Sequence, residues 1–547
     1  MTQADVVIAG AGPTGLMLAS ELLLAGVRPV LLDRLPEISQ VPKGNGLIGQ
    51  IVPMLDYRGL LHRFRAEATY AGPVPRFSFG QVELDLGRLG TSPLHILAIP
   101  QRRLERLLGD RLAELGGSVR REQELTSLTQ DDDGVTLELR GPSGPSGPSG
   151  SGGPGGVDTL RARYLVGCDG AHSLVRKQAS IGFPGFTSSE LSRIGRVRLP
   201  DELIVPGTGE IDVPGFGRVT PVQRHSTPRG GYSIAPVAAL DKTAPRGLYI
   251  VFTSEENGQP ASSAQDGPMT LDELSASFRR VLGADLPMSD PQWLTRTVGN
   301  SRQADRYRAG RVLVAGDAAH LLGLGGALNT GLMDAVNLGW KLAAEVLGSA
   351  PDGLLDTYHD ERYLAGSRAI MQARAQKALS GKDEAAAALR ELMGELLRYD
   401  EPLRHVGELM EGTDVRYPMP GNGAWPHPLV GRFAPDLAVD TADGRTRVAE
   451  LLRPARGVLL DFTADTDTET GADARAAPAA PTAAASATQV THVAARMPEP
   501  PAPALLIRPD GYVAWAGTPL PPGSPDPLGG LPTALAAWFG SVSGTSG

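Results

Sequence analysis

Residues 5–34 read DVVIAGAGPTGLMLASELLLAGVRPVLLDR, and this stretch decides the fold. A β-rich run is followed by the turn GAGPTG, an apolar helix-forming segment and a second β-rich run that ends in Asp33. Gly10, Gly12 and Gly15 form a GxGxxG turn between strand and helix, the context in which that motif binds a dinucleotide. Gly10 permits the tight turn, Gly12 lets backbone approach a pyrophosphate, and Gly15 lets helix and strand pack closely. The helix opening at Pro13 and Thr14 offers free N–H groups and the positive end of its dipole to phosphate. Asp33 stands where a ribose-binding carboxylate is expected. Alone, the motif leaves FAD and NAD both open, beside the plainer alternative of a glycine turn with no ligand.

The bulk numbers narrow the class. A chain of 547 residues has room for about three domains. Its 41% hydrophobic and 21% charged residues are those of a globular protein. A net charge of −9 with no Lys/Arg stripe argues against nucleic acid as a partner. Cys168 is the single cysteine, so no intramolecular disulfide forms and a reducing cytoplasm is expected. The apolar N-terminal runs lack a basic flank and are broken by the glycine turn, so they read as strand and helix. No run has the roughly 18 apolar residues of a membrane span.

Along the chain, short β-rich runs alternate with helical stretches such as LERLLGDRLAELG, which predicts a parallel α/β sheet for residues 1–180. Residues 181–299 read as strands and turns, a β-rich substrate domain inserted into the first unit. RVLVAGD and GLMDAVNLGWKLAAEVL then resume the α/β pattern, assigning 300–385 to the first domain. A helical connection covers 386–425, and 426–547 forms a third unit. Two segments look flexible: the Pro-Ser-Gly repeat at 141–156 and the Ala/Pro/Thr-rich insertion at 466–500.

Two further motifs select FAD. YLVGCDGAHSLVRK (164–177) puts Asp169 at a strand end, with Ser173 and Arg176 following. RVLVAGDAAH (311–320) puts Asp317 at the end of another strand. Each alone is compatible with a capped strand-to-helix turn. Together, in this order, they resemble the FAD-dependent aromatic hydroxylases, the single-component flavoprotein monooxygenases, and more closely the subgroup that tailors aromatic polyketides. That resemblance implies a Rossmann-type FAD-binding domain with an inserted β-rich domain and a C-terminal thioredoxin-like α/β domain. Without cysteine, the last cannot run thiol–disulfide exchange.

The resemblance also implies FAD-binding roles for Gly10, Gly12, Pro13, Thr14, Gly15, Asp33, Arg34, Lys43, Gln101, Asp169, Asp317, Gly326, Leu328 and Asn329. It implies NADPH, or NADH, as a transient co-substrate, O₂, and oxygen transfer from a flavin C4a-hydroperoxide to a small aromatic substrate. In such a reaction the cofactor carries the chemistry, so no side chain is singled out as catalytic and no metal ligand set is expected. His225 and Tyr232 are the candidate substrate contacts in the β lobe, although a structural role suits each. The oligomeric state is left open.

The chain departs from the family pattern. PKGNGLIGQ (42–50) has Lys43 and Gln50 where the family often carries arginines. GDAAHLLGLGGALNTG (316–331) lacks the usual proline and has a shorter glycine loop before Asn329. This loop normally borders the reacting edge of the flavin. The change therefore keeps two other readings open: Baeyer–Villiger or net oxidation on a similar substrate, and a flavin-binding protein without turnover.

Overall fold

The structure is a computed structural model describing residues 2–39, 46–141, 157–239, 241–256, 267–323, 326–420, 427–463, 489–517 and 528–540. Lys43, residues 142–156 of the Pro-Ser-Gly loop and residues 464–488 of the Ala/Pro/Thr-rich stretch lie outside the described residues.

The strand Thr2–Ala9 buries Val6, Val7 and Ile8 completely. It lies between two parallel neighbours, Val157–Gly167 and Val30–Leu32. Val119–Arg120 extends the parallel sheet on one side and Val312–Val314 on the other. An antiparallel hairpin, Glu124–Gln130 with Val135–Arg140, is laid against Val157–Gly167. Three strands end side by side. Gly10 N donates to Leu32 O, Cys168 N to Ala9 O and Ala315 N to Gly167 O, so the three glycine-containing turns emerge along one sheet edge. Ligands of open parallel sheets bind at such carboxyl edges.

The inserted lobe is an antiparallel sheet in the order His225–Thr227, Gly230–Pro236, Leu248–Glu256, Gly185–Arg198, Ser289–Gln303 and His320–Leu321. The long strand Ser289–Gln303 runs through residue 300, where the sequence pattern placed a boundary. The last strand belongs to the GDAAH turn, so lobe and first domain share a backbone ladder. One helix, Leu271–Leu282, covers one face of this sheet. Its start is fixed by the Thr270 hydroxyl accepting from Glu273 N, with Asp272 and Glu273 in the first turn, and its end by left-handed Gly283. These are the side chains that satisfy orphan N–H groups and the helix dipole.

Residues 384–396 and 400–411 form two helices, as the helical connection requires. The C-terminal unit has four strands in the order Val490–Ala494, Gly457–Asp461, Ala504–Ile507 and Val513–Ala516. The first pair is parallel and the next two pairs are antiparallel, the strand arrangement of a thioredoxin-like sheet. Val490–Ala494 corrects the expected insertion at 466–500, whose last third contains this strand. It has one strand neighbour, so its residues stay half exposed and it lacks the apolar density of a central strand.

Two buried ionic clusters hold the C-terminal unit to the first domain. In one, Glu361 accepts from both Arg508 Nη atoms at 2.6 and 2.8 Å and from Lys341 Nζ at 2.8 Å, while Asn337 bridges Glu361 and Asp510. In the other, Glu21 accepts bidentately from Arg58, which also donates to Leu452 O and Pro509 O.

Deleting one partner of such a cluster strands a buried charge, so Arg508→Ala should cost about 3–5 kcal/mol in thermal or denaturant unfolding. Burial alone would raise the Glu361 pKa, but the Arg508 and Lys341 charges hold it below the ordinary carboxylate range. A carboxylate lowered in the folded state contributes stability that is complete above its unfolded value of about 4.3 and fades as pH drops toward the folded value. Denaturant midpoints taken from pH 7 to pH 3 should therefore fall on the acid side, and less steeply in Glu361→Gln.

Candidate active site

The three turns meet around glycines, each required for a different reason. A Cβ on Gly10, whose φ is +104°, would lie 2.4 Å from Cys168 O, and one on Gly15 would lie 1.9 Å from Gly10 O. Both positions are closed by the protein itself. At Gly12 a Cβ would meet nothing within 4 Å, so the absent side chain leaves a cradle over the turn. The helix Pro13–Leu24 starts there with no side-chain cap, and Leu16 N is the first to bond back, to Gly12 O. The Thr14 and Gly15 N–H groups are thereby left for a ligand.

Asp33 Oδ2 accepts from Ala11 N and Oδ1 from Leu35 N, both at 2.8 Å, so this carboxylate shapes the glycine turn while keeping spare acceptor capacity. Arg34 beside it is exposed. Thr14 packs its hydroxyl against two other elements: a Cβ on Gly316 or on Gly331 would come within 2.7 or 2.8 Å of Thr14 Oγ1. Its side chain therefore joins turns instead of facing a ligand.

In the second turn, Asp169 Oδ2 accepts from Leu174 N and Val175 N, at 2.7 and 3.1 Å. Its Oδ1 is buried with no partner, an acceptor awaiting a donor at the sheet edge. Arg176, buried beneath Phe183, donates to Ala318 O at 2.9 Å and ties the second turn to the third.

The third turn is anchored by a residue the motif reading passed over. Asp334, fully buried in the helix Ala327–Val346, accepts from Gly316 N at 2.9 Å, His320 Nε2 at 2.7 Å and Arg362 Nε at 2.7 Å. Burial alone would raise its pKa, but His320, Arg362 and the Gly316 N–H hold it below the usual carboxylate value. Arg362 also donates to Thr330 O and Tyr417 Oη. The available signal was an acid set directly among apolar residues, between Leu332–Met333 and Ala335–Val336, since an unpaired carboxylate is rarely buried.

That helix begins at Gly326, whose φ is +83°, again with no side-chain cap. The backbone N–H groups of Leu328 and Asn329 point out of this first turn. The Asn329 side chain is already used: its Oδ1 accepts from Ile48 N at 2.8 Å and draws the Leu47–Ile48 strand to the helix start. Gln101 stands at the head of the helix Gln101–Glu114, its Nε2 bonded to Glu105 Oε1 at 2.7 Å. Asp317 lies on the exposed side of the Gly316–Ala318 turn.

His225 and Tyr232, the expected substrate contacts, are engaged with each other and with the lobe's own core. They face each other across neighbouring strands and stack with ring centroids 5.2 Å apart. His225 Nε2 is 2.8 Å from Thr220 O, and Tyr232, 5% exposed, packs in the core beneath Leu271–Leu282 with Phe278. The alternation of the sheet is the cause. Tyr232 shares a face with Thr253, whose hydroxyl bonds Ser277 of that helix. The opposite face presents Ile194, Ala235, Ile250, Phe252 and Trp293, all half-buried and uncovered by the lobe's helix. The lobe meets the first domain through Arg103 with Asp241 and Lys377 with Ser188, each pair at 2.6 Å.

A cradle with no side chain, a buried orphan carboxylate oxygen and two uncapped helix N-termini at one sheet edge fit an extended FAD. Gly12 and the Pro13–Leu24 helix would meet its pyrophosphate, Asp169 its polar chain, and the Ala327–Val346 helix its ring edge.

Comparison with known proteins agrees. The FAD binding domain family matches residues 3–373, and the C-terminal domain family of aromatic-ring hydroxylases matches residues 427–542. The 12-dehydrotetracycline 5-monooxygenase/anhydrotetracycline 6-monooxygenase of Streptomyces rimosus is 41% identical over 546 residues, 98% of this chain and 99% of that protein. Dialkyldecalin synthase of Streptomyces rugosporus is 35% identical over 544 residues, 98% of this chain and 99% of its own. The solved anhydrotetracycline hydroxylase OxyS of Streptomyces rimosus superposes with a TM-score of 0.80 at 38% identity, covering 99% of this chain and 100% of that one. With its first 373 residues shaped as an FAD-binding domain and its last domain that of the ring hydroxylases, the chain belongs to the FAD-dependent aromatic-ring hydroxylases and is a flavoprotein monooxygenase.

Proposed function

We propose that this enzyme hydroxylates an aromatic polyketide-like or phenolic natural-product intermediate, with NAD(P)H as reductant, O₂ as oxygen source and a flavin C4a-hydroperoxide as the oxygen-transferring species. The observation carrying the reading is the half-buried aromatic and aliphatic sheet face, Ile194, Ile250, Phe252 and Trp293, joined by its own backbone ladder to the turn before the Ala327–Val346 helix. The names of the relatives, which act on tetracycline intermediates, favour a polycyclic substrate.

Bound FAD supplies the redox and oxygen-transfer chemistry. The chain's residues do the rest. The N–H groups opening the Ala327–Val346 helix oppose negative charge on the reduced ring, as donors aimed at developing charge do in a water-poor site. Asp334, through Gly316 and His320, fixes the turn that leads into that helix. Phe252 and Trp293 offer apolar surface that orients a planar substrate and excludes water. The Cys168 carbonyl packs against Gly10, and desolvation pushes its thiol above the usual range.

A second reading, FAD retained without net oxygen transfer, is favoured by the dialkyldecalin synthase relative and by the altered 316–331 loop. Anhydrotetracycline, NADPH and ¹⁸O₂ separate the two. The proposal expects substrate-stimulated NADPH oxidation and a product bearing one labelled oxygen; unlabelled product, or turnover indifferent to any polycyclic phenol, contradicts it. The cradle gives a further expectation. Gly12→Val should lower FAD content about tenfold or more while the far-ultraviolet spectrum and apoprotein melting stay unchanged, whereas Gly15→Val should destabilise the apoprotein itself.

A further inference from the structure

We propose that Arg196 is a specificity-determining residue that receives an anionic oxygen of the substrate, an enolate, phenolate or carboxylate. The inference rests on the aromatic-hydroxylase reading above and adds the charge of the group recognised.

The direction of the side chain follows from its neighbours. A Cβ on Gly195 would lie 2.5 Å from Leu274 Cδ2, and Arg193 Nε donates to Glu273 Oε1 at 2.8 Å, so positions 193 and 195 face the Leu271–Leu282 helix. Arg196 therefore points the other way, between Ile250 and Trp293 on the adjacent strands. This is the face that the lobe leaves free of its own helix.

Other arginines of the lobe are satisfied: Arg302 donates to Phe183 O and Thr187 Oγ1, and four more are neutralised by carboxylates. Arg193 pairs with Glu255 and Glu273, Arg296 with Glu273, Arg198 with Asp290 and Arg224 with Glu190. Arg196 differs. Its Nε is buried and has no hydrogen-bond partner, and the residue forms no ion pair among the described residues. Asp241 lies within electrostatic range, but its carboxylate is bonded to Arg103 and Thr243. A guanidinium cannot escape by losing its proton, and a buried donor without an acceptor carries a desolvation cost. An oxyanion of the substrate would remove that cost, held by the planar fork and flanked by the Trp293 ring.

The test uses holoenzyme and two probes of nearly equal shape, 3-hydroxy-2-naphthoate and its methyl ester, titrated against the flavin absorbance. Wild type should bind the carboxylate about tenfold or more tightly than the ester. Arg196→Gln should bring the two affinities within about twofold by weakening the carboxylate alone, and Arg196→Lys should keep part of the preference. A matching melting curve and flavin content in Arg196→Gln show that its site is intact. Three results would overturn the proposal: an unchanged preference in Arg196→Gln, equal binding of both probes by wild type, or no binding of either. Labelled-oxygen incorporation with anhydrotetracycline scores the hydroxylase reading separately, so either claim can fail without the other.

Discussion

The carboxylate of Asp334 is the point on which the flavin site turns. It lies in the middle of a packed helix, yet it takes hydrogen bonds from Gly316 N and His320 of the third turn and from Arg362 of the helix Thr357–Leu379. Through Gly316 it fixes the third turn against Thr14 of the first. Arg176 then ties that turn to the second. A buried carboxylate is tolerated only when it is paired and fully bonded. The ionic arrangement and the mutual position of the three turns therefore stand or fall together.

From the same centre the network reaches the C-terminal domain. Arg362 donates to Tyr417, whose ring stacks on Tyr512 at 4.2 Å, and Tyr512 donates to Gln50 at 3.1 Å, close to the strand that Asn329 holds. This thioredoxin-like domain has no cysteine and so cannot run thiol–disulfide exchange. It is tied to the flavin domain by the Glu361–Arg508 ion pair and by Arg58, which is paired with Glu21 and donates to Leu452 O and Pro509 O. Gln50 stands where relatives often carry an arginine, and a neutral amide suits a position beside a buried tyrosine hydroxyl.

What could be read in the sequence was what the backbone decides locally. Gly10, Gly12 and Gly15 announce their separate duties because each answers to atoms a few residues away or across one strand pair. The polar network was not legible. Asp334 meets Arg362 across two helices, and Asn329 meets Ile48 281 positions away, so no spacing rule joins them. Tyr232 shows a third case. The period of its strand was clear, but which face met the covering helix depended on where Leu271–Leu282 came to rest. The helix took the tyrosine side and left Phe252 and Trp293 on the face it does not cover. Val490–Ala494 was hidden by the polar stretch before it.

If Asp334 holds the flavin turns in place, FAD affinity depends on a residue that would never touch the cofactor, and this dependence can be measured. Calorimetric titration of apoprotein with FAD, comparing wild type with Asp334→Asn, tests it most directly. Neutralising the carboxylate strands Arg362 and loosens the Gly316 turn, so the variant should keep its far-ultraviolet spectrum but bind FAD about tenfold or more weakly. Equal affinity in the two proteins would contradict the claim that the buried carboxylate holds the flavin turns in place.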